Sequence, residues 1–204
     1  MRAWPCGRGE WNVIRGASKS GKSALMDVVD YGTGRDDWYG AEGVIRRHVS
    51  WFAGLVQAGD SQIFVARRNP GPGNKTSPDI YVQRGTTIEP PAISVLAKNF
   101  TLNALGKMLD AAVGINENQH RPPMGQTRNP LTANIRHALT FSFQDQDEID
   151  SKKILFHRTG DNFIAQAVKD SLPYFLGAID EDRLLKLSLF DAAKRELRRL
   201  ERQL

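Results

Sequence analysis

Eight consecutive residues near the start of the chain fit the pattern G-x-x-x-x-G-K-[ST] at every defined position. They are Gly16, Ala17, Ser18, Lys19, Ser20, Gly21, Lys22 and Ser23. Glycine permits a tight turn in which successive main-chain N–H groups point at phosphate oxygens. The Lys22 ammonium then reaches the β- and γ-phosphates, and the Ser23 hydroxyl is placed to bind Mg²⁺. The motif predicts a loop that binds a nucleoside triphosphate, with ATP and Mg²⁺ as the expected ligands.

The residues on either side of this loop fit its expected surroundings. Residues 11–15 are mostly apolar and predict a buried strand that ends at Gly16. Residues 22–31 predict a helix, with Ala24 in its first turn. The free N–H groups and the positive dipole end of such a helix attract phosphate. We therefore count Ala24, with the eight loop residues, among the expected nucleotide-binding residues.

An antiparallel sheet is expected after this helix. Residues 49–56 and 62–66 are strand-like and flank the turn signal Gly59-Asp60, as in a β-hairpin. Residues 80–82 predict a third strand after a loop rich in proline and glycine. These elements place the chain in the α/β class.

Helices dominate the expected second half. Thr101 predicts the start of a helix with apolar residues at helical spacing, and Gly114 predicts its end. Residues 115–132 predict a long exposed loop. Asp161 is expected to cap a further helix that ends near Pro173.

The last helix, expected from about residue 183 to residue 204, carries two separate signals. Its apolar residues are spaced three and four apart, which is typical of a coiled-coil seam but over two heptads also fits an ordinary amphipathic helix. The seam residues are Phe190, Ala193, Leu197, Leu200 and Leu204. The same segment holds seven basic and three acidic side chains, a net +4 within a chain total of +5. It can contact nucleic acid or present a solvated face.

The order of these features resembles the N-terminal lobe of coiled-coil ABC ATPases. That class includes the structural-maintenance-of-chromosomes (SMC) and double-strand-break-repair ATPases and their bacterial relatives. GASKSGKSALMDVVDYGTG at 16–34 resembles the P-loop and first helix of a bacterial branch suspected to act in phage defence. Residues 44–49 and 63–68 resemble its β-subdomain, and FSFQDQDEI at 141–149 resembles its glutamine loop. LPYFLGAIDED at 172–182 resembles the segment that leads into the coiled coil.

This resemblance implies a P-loop ATPase lobe at 1–180 and the start of a coiled coil at 181–204. It implies catalytic roles for Lys22 and for a glutamine that completes the Mg²⁺ sphere, beside Ser23, and senses the γ-phosphate. Gln144 and Gln146 are both candidates, and Gln146 fits the family form Q-x-x-I better. The implied partners are the C-terminal ATPase lobe, a second identical head and DNA.

Two parts of a complete head are not found in the sequence. It contains no L-S-G-G-like signature segment and no convincing Walker-B strand with a catalytic glutamate, which the family supplies after the coiled coil. The strand expected before Trp11 is also replaced by a segment rich in proline and glycine. We therefore expect a fragment that binds nucleotide weakly and hydrolyses it poorly alone.

Two other functions stay open. A self-contained P-loop kinase or phosphohydrolase would use Asp180 as its metal aspartate, although Asp180 and Glu181 also suit the N-terminus of the last helix. Pro173 and Gly177 argue against a central strand before Asp180. A non-catalytic module would instead use the basic last helix to hold DNA or a partner helix.

Composition excludes several classes. A single cysteine, Cys6, cannot form an internal disulfide, and the four histidines show no metal-ligand spacing. No stretch approaches 18 apolar residues, and the N-terminus lacks the apolar run of a secretory signal. We therefore expect no membrane partner and a cytoplasmic location.

Overall fold

A computed structural model of the chain describes residues 6–7, 11–18, 20–40, 42–118, 129–178 and 181–201. The chain divides into two compact units, Met1–Leu105 and Gly106–Leu204, which are described separately below. The structure is mixed α/β, with one three-stranded antiparallel sheet and several helices. The α/β class is thereby confirmed.

The elements follow one another in a simple order. The helices are α1 Ala24–Gly32, α2 Val44–His48, α3 Leu102–Ala112, α4 Ile135–Ser142, α5 Gln146–Ile149, α6 Asn162–Phe175 and α7 Glu181–Glu201. The strands are β1 Trp51–Ala58, β2 Ser61–Arg68 and β3 Ile80–Gly85, and a short 3₁₀ turn spans Ile93–Val95.

The sheet of the first unit has the order β1-β2-β3 with both neighbours antiparallel. Trp51 lies opposite Arg68 and Ala58 opposite Ser61, so all eight residues of β1 pair with β2. Gly59 adopts a φ of 57° in the connecting turn, a conformation that glycine reaches without strain. The predicted hairpin and third strand are confirmed.

Apolar side chains cover both faces of this sheet. On one face Phe52 packs with Tyr31 from the end of α1 and with Trp38, whose ring stacks on Phe52 at a centroid distance of 4.2 Å. On the other face a second buried cluster consists of Phe64, Ala66, Ile88 and Leu96. Helix α1 thus packs on the Phe52 face of the sheet, and a separate cluster covers the Phe64 face.

The strand predicted at 11–15 is wrong. These residues are irregular and exposed, with Trp11 98% and Val13 69% accessible. A strand is stable only when a neighbour satisfies its main-chain N–H and C=O groups. The described sheet contains β1, β2 and β3 alone, and residues 11–15 pair with none of them.

Helix α3, which contains the boundary between the units, confirms the sequence prediction. The Ala104 N–H donates to the Thr101 hydroxyl at 3.3 Å, as an N-terminal cap requires. Gly114 follows the helix with a φ of 78°.

The loop predicted at 115–132 lies partly outside the described residues. At its described ends, the Asn118 side chain accepts from the Ala133 N–H at 2.7 Å and donates to the Ala133 carbonyl oxygen at 3.0 Å.

Helix α4 in the second unit starts with a reciprocal cap. Asn134 accepts from the His137 N–H, and the Asn134 N–H donates to Nδ1 of His137 at 3.2 Å. Burial lowers the pKa of His137, and the nearby Arg136 guanidinium lowers it further. Burial raises the pKa of Asp110, partly offset by the hydrogen bond that its carboxylate accepts from the Ile135 N–H at 2.7 Å.

Helix α6 extends beyond its predicted end. Asp161 caps it by accepting from the Phe163 N–H at 2.8 Å, as expected. Pro173, however, lies inside the helix, which continues to Phe175. Proline removes one N–H near the end of the helix, where the ring of Phe175 also packs against Phe141 of α4 at 5.6 Å between centroids. This packing favours two more helical residues after the proline.

Helix α7 confirms the predicted final helix, although Leu204 lies outside the described residues. Among the seam residues, Phe190, Ala193, Leu197 and Leu200 are exposed. Within the described part of the chain, no helix is both long enough and apolar enough to cross a lipid bilayer.

Candidate phosphate-binding site

The loop at 16–23 lies on the surface of the first unit, directly before α1. Its described residues are exposed, and Lys19 lies outside the described residues. Gly21 has a φ of 86°, a left-handed conformation that side chains other than glycine rarely adopt. A Cβ added to Gly16 would lie 2.8 Å from the Ser20 hydroxyl oxygen. Gly21 thus occupies a position where a side chain is unfavourable, and a side chain at Gly16 would require the Ser20 hydroxyl to move.

The Lys22 ammonium closes the loop on itself. Its Nζ donates to the main-chain oxygens of Gly16 at 2.9 Å and Ala17 at 2.8 Å, and to the Ser20 hydroxyl at 3.3 Å. These acceptors are neutral, and within the described part of the chain Lys22 has no carboxylate partner. The positive charge is therefore positioned by the loop but not neutralised by it.

Three neighbouring main-chain donors have no acceptor within the described part of the chain. The N–H groups of Gly21, Lys22 and Ser23 make no hydrogen bond among the described residues, whereas the Ala24 N–H donates to the Gly21 oxygen at 3.2 Å. Ser23 is the N-cap of α1, but its hydroxyl makes no capping hydrogen bond. Unpaired N–H groups and the positive end of a helix dipole attract anions. The sequence-predicted residues thus present donors and one cation together.

The carboxyl end of α1 is held firmly by the sheet. Tyr31 is fully buried, and its hydroxyl donates to the Arg68 main-chain oxygen at 3.2 Å and accepts from the Ser77 N–H at 3.3 Å. Arg67 of β2, 1% exposed, donates to the Tyr31 main-chain oxygen at 2.6 Å. These contacts fix the helix whose other end carries the loop.

Helix α2 also borders the loop, although the resemblance placed residues 44–49 in a β-subdomain. A Cβ on Gly21 would lie 3.8 Å from the side chain of Ile45. The adjacent Arg46 is 4% exposed, pairs with Glu42 at 3.0 Å and donates to the Asn74 main-chain oxygen. The run Arg46-Arg47 is the sequence signal for this basic segment. It does not reveal that Arg46 is buried and Arg47 exposed, because that difference depends on the packing of α2.

The two candidate glutamines lie in the second unit and differ in availability. Gln144 donates through Nε2 to the Leu155 main-chain oxygen at 3.2 Å. Gln146 is the first residue of α5, is exposed, and makes no side-chain hydrogen bond within the described part of the chain. The Gln146 amide is therefore unpaired within the described part of the chain, whereas the Gln144 amide uses its Nε2 and keeps its oxygen unpaired there. Asp180, the alternative metal residue, lies outside the described residues.

Three potential metal ligands around α5 escaped the sequence analysis, which found no metal-ligand spacing. The ligand atoms of Asp145, Glu148 and His157 lie within 4.8 Å of one another. Glu148, however, accepts from the Asp145 N–H at 2.9 Å and the Arg158 N–H at 2.6 Å, and contacts Nδ1 of His157 at 2.8 Å. The motif D-x-x-E was the available signal, and it describes a helix cap. The hydrogen bonds of this cluster therefore join the start of α5 to residues 157–158.

Comparison of the chain with protein-family models, with curated proteins and with solved structures returned no match.

Proposed function

We propose that the chain binds Mg-ATP through residues 16–23 and serves as the N-terminal lobe of a coiled-coil ABC ATPase head. The observation that carries the proposal is the group of donors at the start of α1, where three main-chain N–H groups have no acceptor among the described residues and an ammonium is bonded to neutral oxygens alone. The N–H groups of residues 21–23, the Lys22 ammonium and the Ser23 hydroxyl occur within three consecutive residues. A triphosphate supplies the many oxygen acceptors that such a group lacks.

The state of Lys22 suits this role. Its ammonium is oriented by the neutral carbonyls of Gly16 and Ala17, so its charge remains available to phosphate oxygens. Mg²⁺ binds few protein ligands and keeps phosphate oxygens and waters as the others. The Ser23 hydroxyl, which caps no helix N–H, is the protein ligand that we assign to it. No contact across the two units is needed for this part of the proposal.

Other features support the assignment to an ATPase lobe. The antiparallel sheet follows the loop helix in the order that the resemblance implies. The Gln146 side chain is exposed and makes no hydrogen bond among the described residues, which suits the glutamine-loop role that the resemblance assigns to it. The exposed Phe190, Leu197 and Leu200 suit a helix that continues into a coiled coil. On this proposal, the C-terminal lobe and a second head complete ATP hydrolysis, coupled to work on DNA.

Nucleotide binding is tested by titrating fluorescent ATP with Mg²⁺ against the wild type and Lys22→Ala. Loss of one charge-assisted contact costs about 1.5–3 kcal/mol, so affinity should fall roughly tenfold or more. Lys107→Ala removes the same charge from an exposed site on α3 and should leave affinity unchanged. Equal affinity in the wild type and Lys22→Ala would contradict the proposal.

Measurements of phosphate release and of DNA binding distinguish the proposed ATPase lobe from the two other candidate functions. The chain alone should release no more phosphate than Lys22→Ala. Turnover that disappears in Asp180→Asn would favour a self-contained enzyme instead. DNA binding that weakens with salt but ignores ATP and Lys22→Ala would favour a non-catalytic module.

A further inference from the structure

The chain covers one edge of its sheet and leaves the other uncovered. At the β3 edge, the Asn99 side chain accepts from the Val82 N–H and donates to the Val82 oxygen, both at 2.8 Å. The N–H groups of Asn99 and Phe100 donate to the Ile80 oxygen at 3.0 and 3.2 Å. The outer N–H and C=O groups of Val82 and the outer C=O group of Ile80 are thus satisfied within the chain.

The β1 edge has no such cover among the described residues, where β2 is the strand that pairs with it. The Asn69 N–H donates to the Ser50 oxygen at 2.9 Å, which fixes the alternation of the β1–β2 ladder. In the register of Trp51 with Arg68, Phe52, Gly54 and Val56 therefore direct their N–H and C=O groups to β2. The same groups of Ala53, Leu55 and Gln57 point to the free edge.

The β1 sequence contains none of the features that protect an edge strand. WFAGLVQA has no charged residue and no proline, and it pairs with β2 over all eight positions without a bulge. Residues 53–56 are exposed, and Leu55 and Val56 remain 44% and 38% accessible. Natural sheets usually block such an edge with lysine, proline or a bulge. An edge like this one is a template for another strand.

We propose that a second copy of this chain pairs with this edge, with β1 of each copy antiparallel to the other. The strand is suited to itself because two uncharged copies bring no like charges together. With a two-fold axis at Leu55, Leu55 faces Leu55 and Ala53 faces Gln57, so the outward N–H and C=O groups of both copies meet. A charged strand would instead lose hydration beside Leu55 and Val56.

This association is independent of the proposed nucleotide site, since no residue of 16–23 takes part. Stable interfaces bury roughly 1,200–2,000 Å² in total. Pairing of a single eight-residue edge buries less than that, so we expect a weak dimer whose population rises with protein concentration.

Sedimentation velocity without nucleotide tests the proposal. The full chain should carry Leu197→Glu, which removes association through the exposed α7 seam. Its mass should rise with concentration from 22.8 kDa toward twice that value. Leu55→Lys, added to this background, should remain monomeric. Ile93→Lys is the matched control, because Ile93 is 51% exposed and lies off the edge, and it should dimerise like the parent.

Amide hydrogen exchange locates the contact. In the parent, the N–H groups of Ala53, Leu55 and Gln57 should become protected as concentration rises, whereas those of Gly54 and Val56 should be protected at every concentration. A parent that stays monomeric, a dimer that survives Leu55→Lys, or protection that does not rise at these three amides would overturn the proposal. If Leu55→Lys loses its circular-dichroism signal, exchange in the parent decides the matter.

Discussion

The guanidinium of Arg67 lies over the ring of Tyr31, 3.6 Å from its centroid, and also donates to the main-chain oxygen of the same residue. A second hydrogen bond reaches the Arg35 oxygen just beyond α1. One buried cation thus stacks on an aromatic ring and satisfies carbonyl groups at the end of the helix. These contacts join β2 to the helix that carries the loop.

Replacing Arg67 with methionine should destabilise the protein by about 2–4 kcal/mol, because buried carbonyl oxygens would lose their donor. Urea unfolding followed by circular dichroism measures the change. Arg68→Met is the matched control, since the Arg68 side chain is 59% exposed and its pairing with Asp79 at 3.2 Å is a surface ion pair. It should cost at most about 1 kcal/mol. Equal losses at the two positions would show that Arg67 has no special role.

Two glycine substitutions should have opposite effects. Gly21→Ala forces a side chain into a left-handed conformation at a cost of about 1–2 kcal/mol, so the loop should change shape and bind Mg-ATP more weakly. Gly106→Ala lies inside α3 with open space around it and should stabilise the protein by about 0.5–1 kcal/mol. Nucleotide titration and urea unfolding measure both variants. Unchanged affinity in Gly21→Ala would count against the loop geometry.

Replacing Glu148 with glutamine should destabilise the second unit by about 1–3 kcal/mol. The Glu148 side chain is 11% exposed and serves two main-chain donors and His157, which a neutral amide cannot satisfy equally. Asp147→Asn changes the adjacent exposed carboxylate and should have little effect. Exchange rates of the Asp145 and Arg158 amides should rise in Glu148→Gln alone.

Stability should fall in mildly acidic solution because of His137. Its pKa in the folded protein is lowered from 6.5, so the unfolded chain binds more protons between the lowered pKa and 6.5. The contribution of His137 is fully present above 6.5 and is lost as the pH falls through this window. Protonation also removes the Nδ1 acceptor of the Asn134 N–H. NMR titration of the ring should give a pKa below 6.5, and a value at or above 6.5 would contradict this account.

Local patterns were sufficient to predict much of the fold. The hairpin follows from the strand-like apolar runs on either side of Gly59-Asp60, and the caps of α3 and α6 follow from Thr101 and Asp161. The strand at 11–15 failed because strand formation depends on a partner, which an apolar run does not reveal. Residues 138–142 form most of α4, and neither strand nor helix is predicted there because a short apolar run fits either.

The residues in and around the candidate site also fall into two groups: those that the sequence identifies and those that only the fold reveals. The loop residues were identifiable because their spacing follows from phosphate chemistry within eight positions. The role of Arg67 was not identifiable, because its partner Tyr31 lies 36 residues away. In the sequence, Arg67 is simply a charged residue at the end of a strand. The contact between Glu148 and His157 likewise joins residues nine apart across a change of direction. Long-range pairings of this kind need the fold before they can be recognised.

Helix α1 is held by buried contacts at Tyr31, whereas Ser23 at its other end is exposed, so we expect the helix to pivot about its carboxyl end. A force applied at the free end displaces the first turn more than the last. An anion that draws the Lys22 ammonium away from the Gly16 carbonyl would therefore tilt the amino end of α1 and leave the aromatic packing around Tyr31 unchanged.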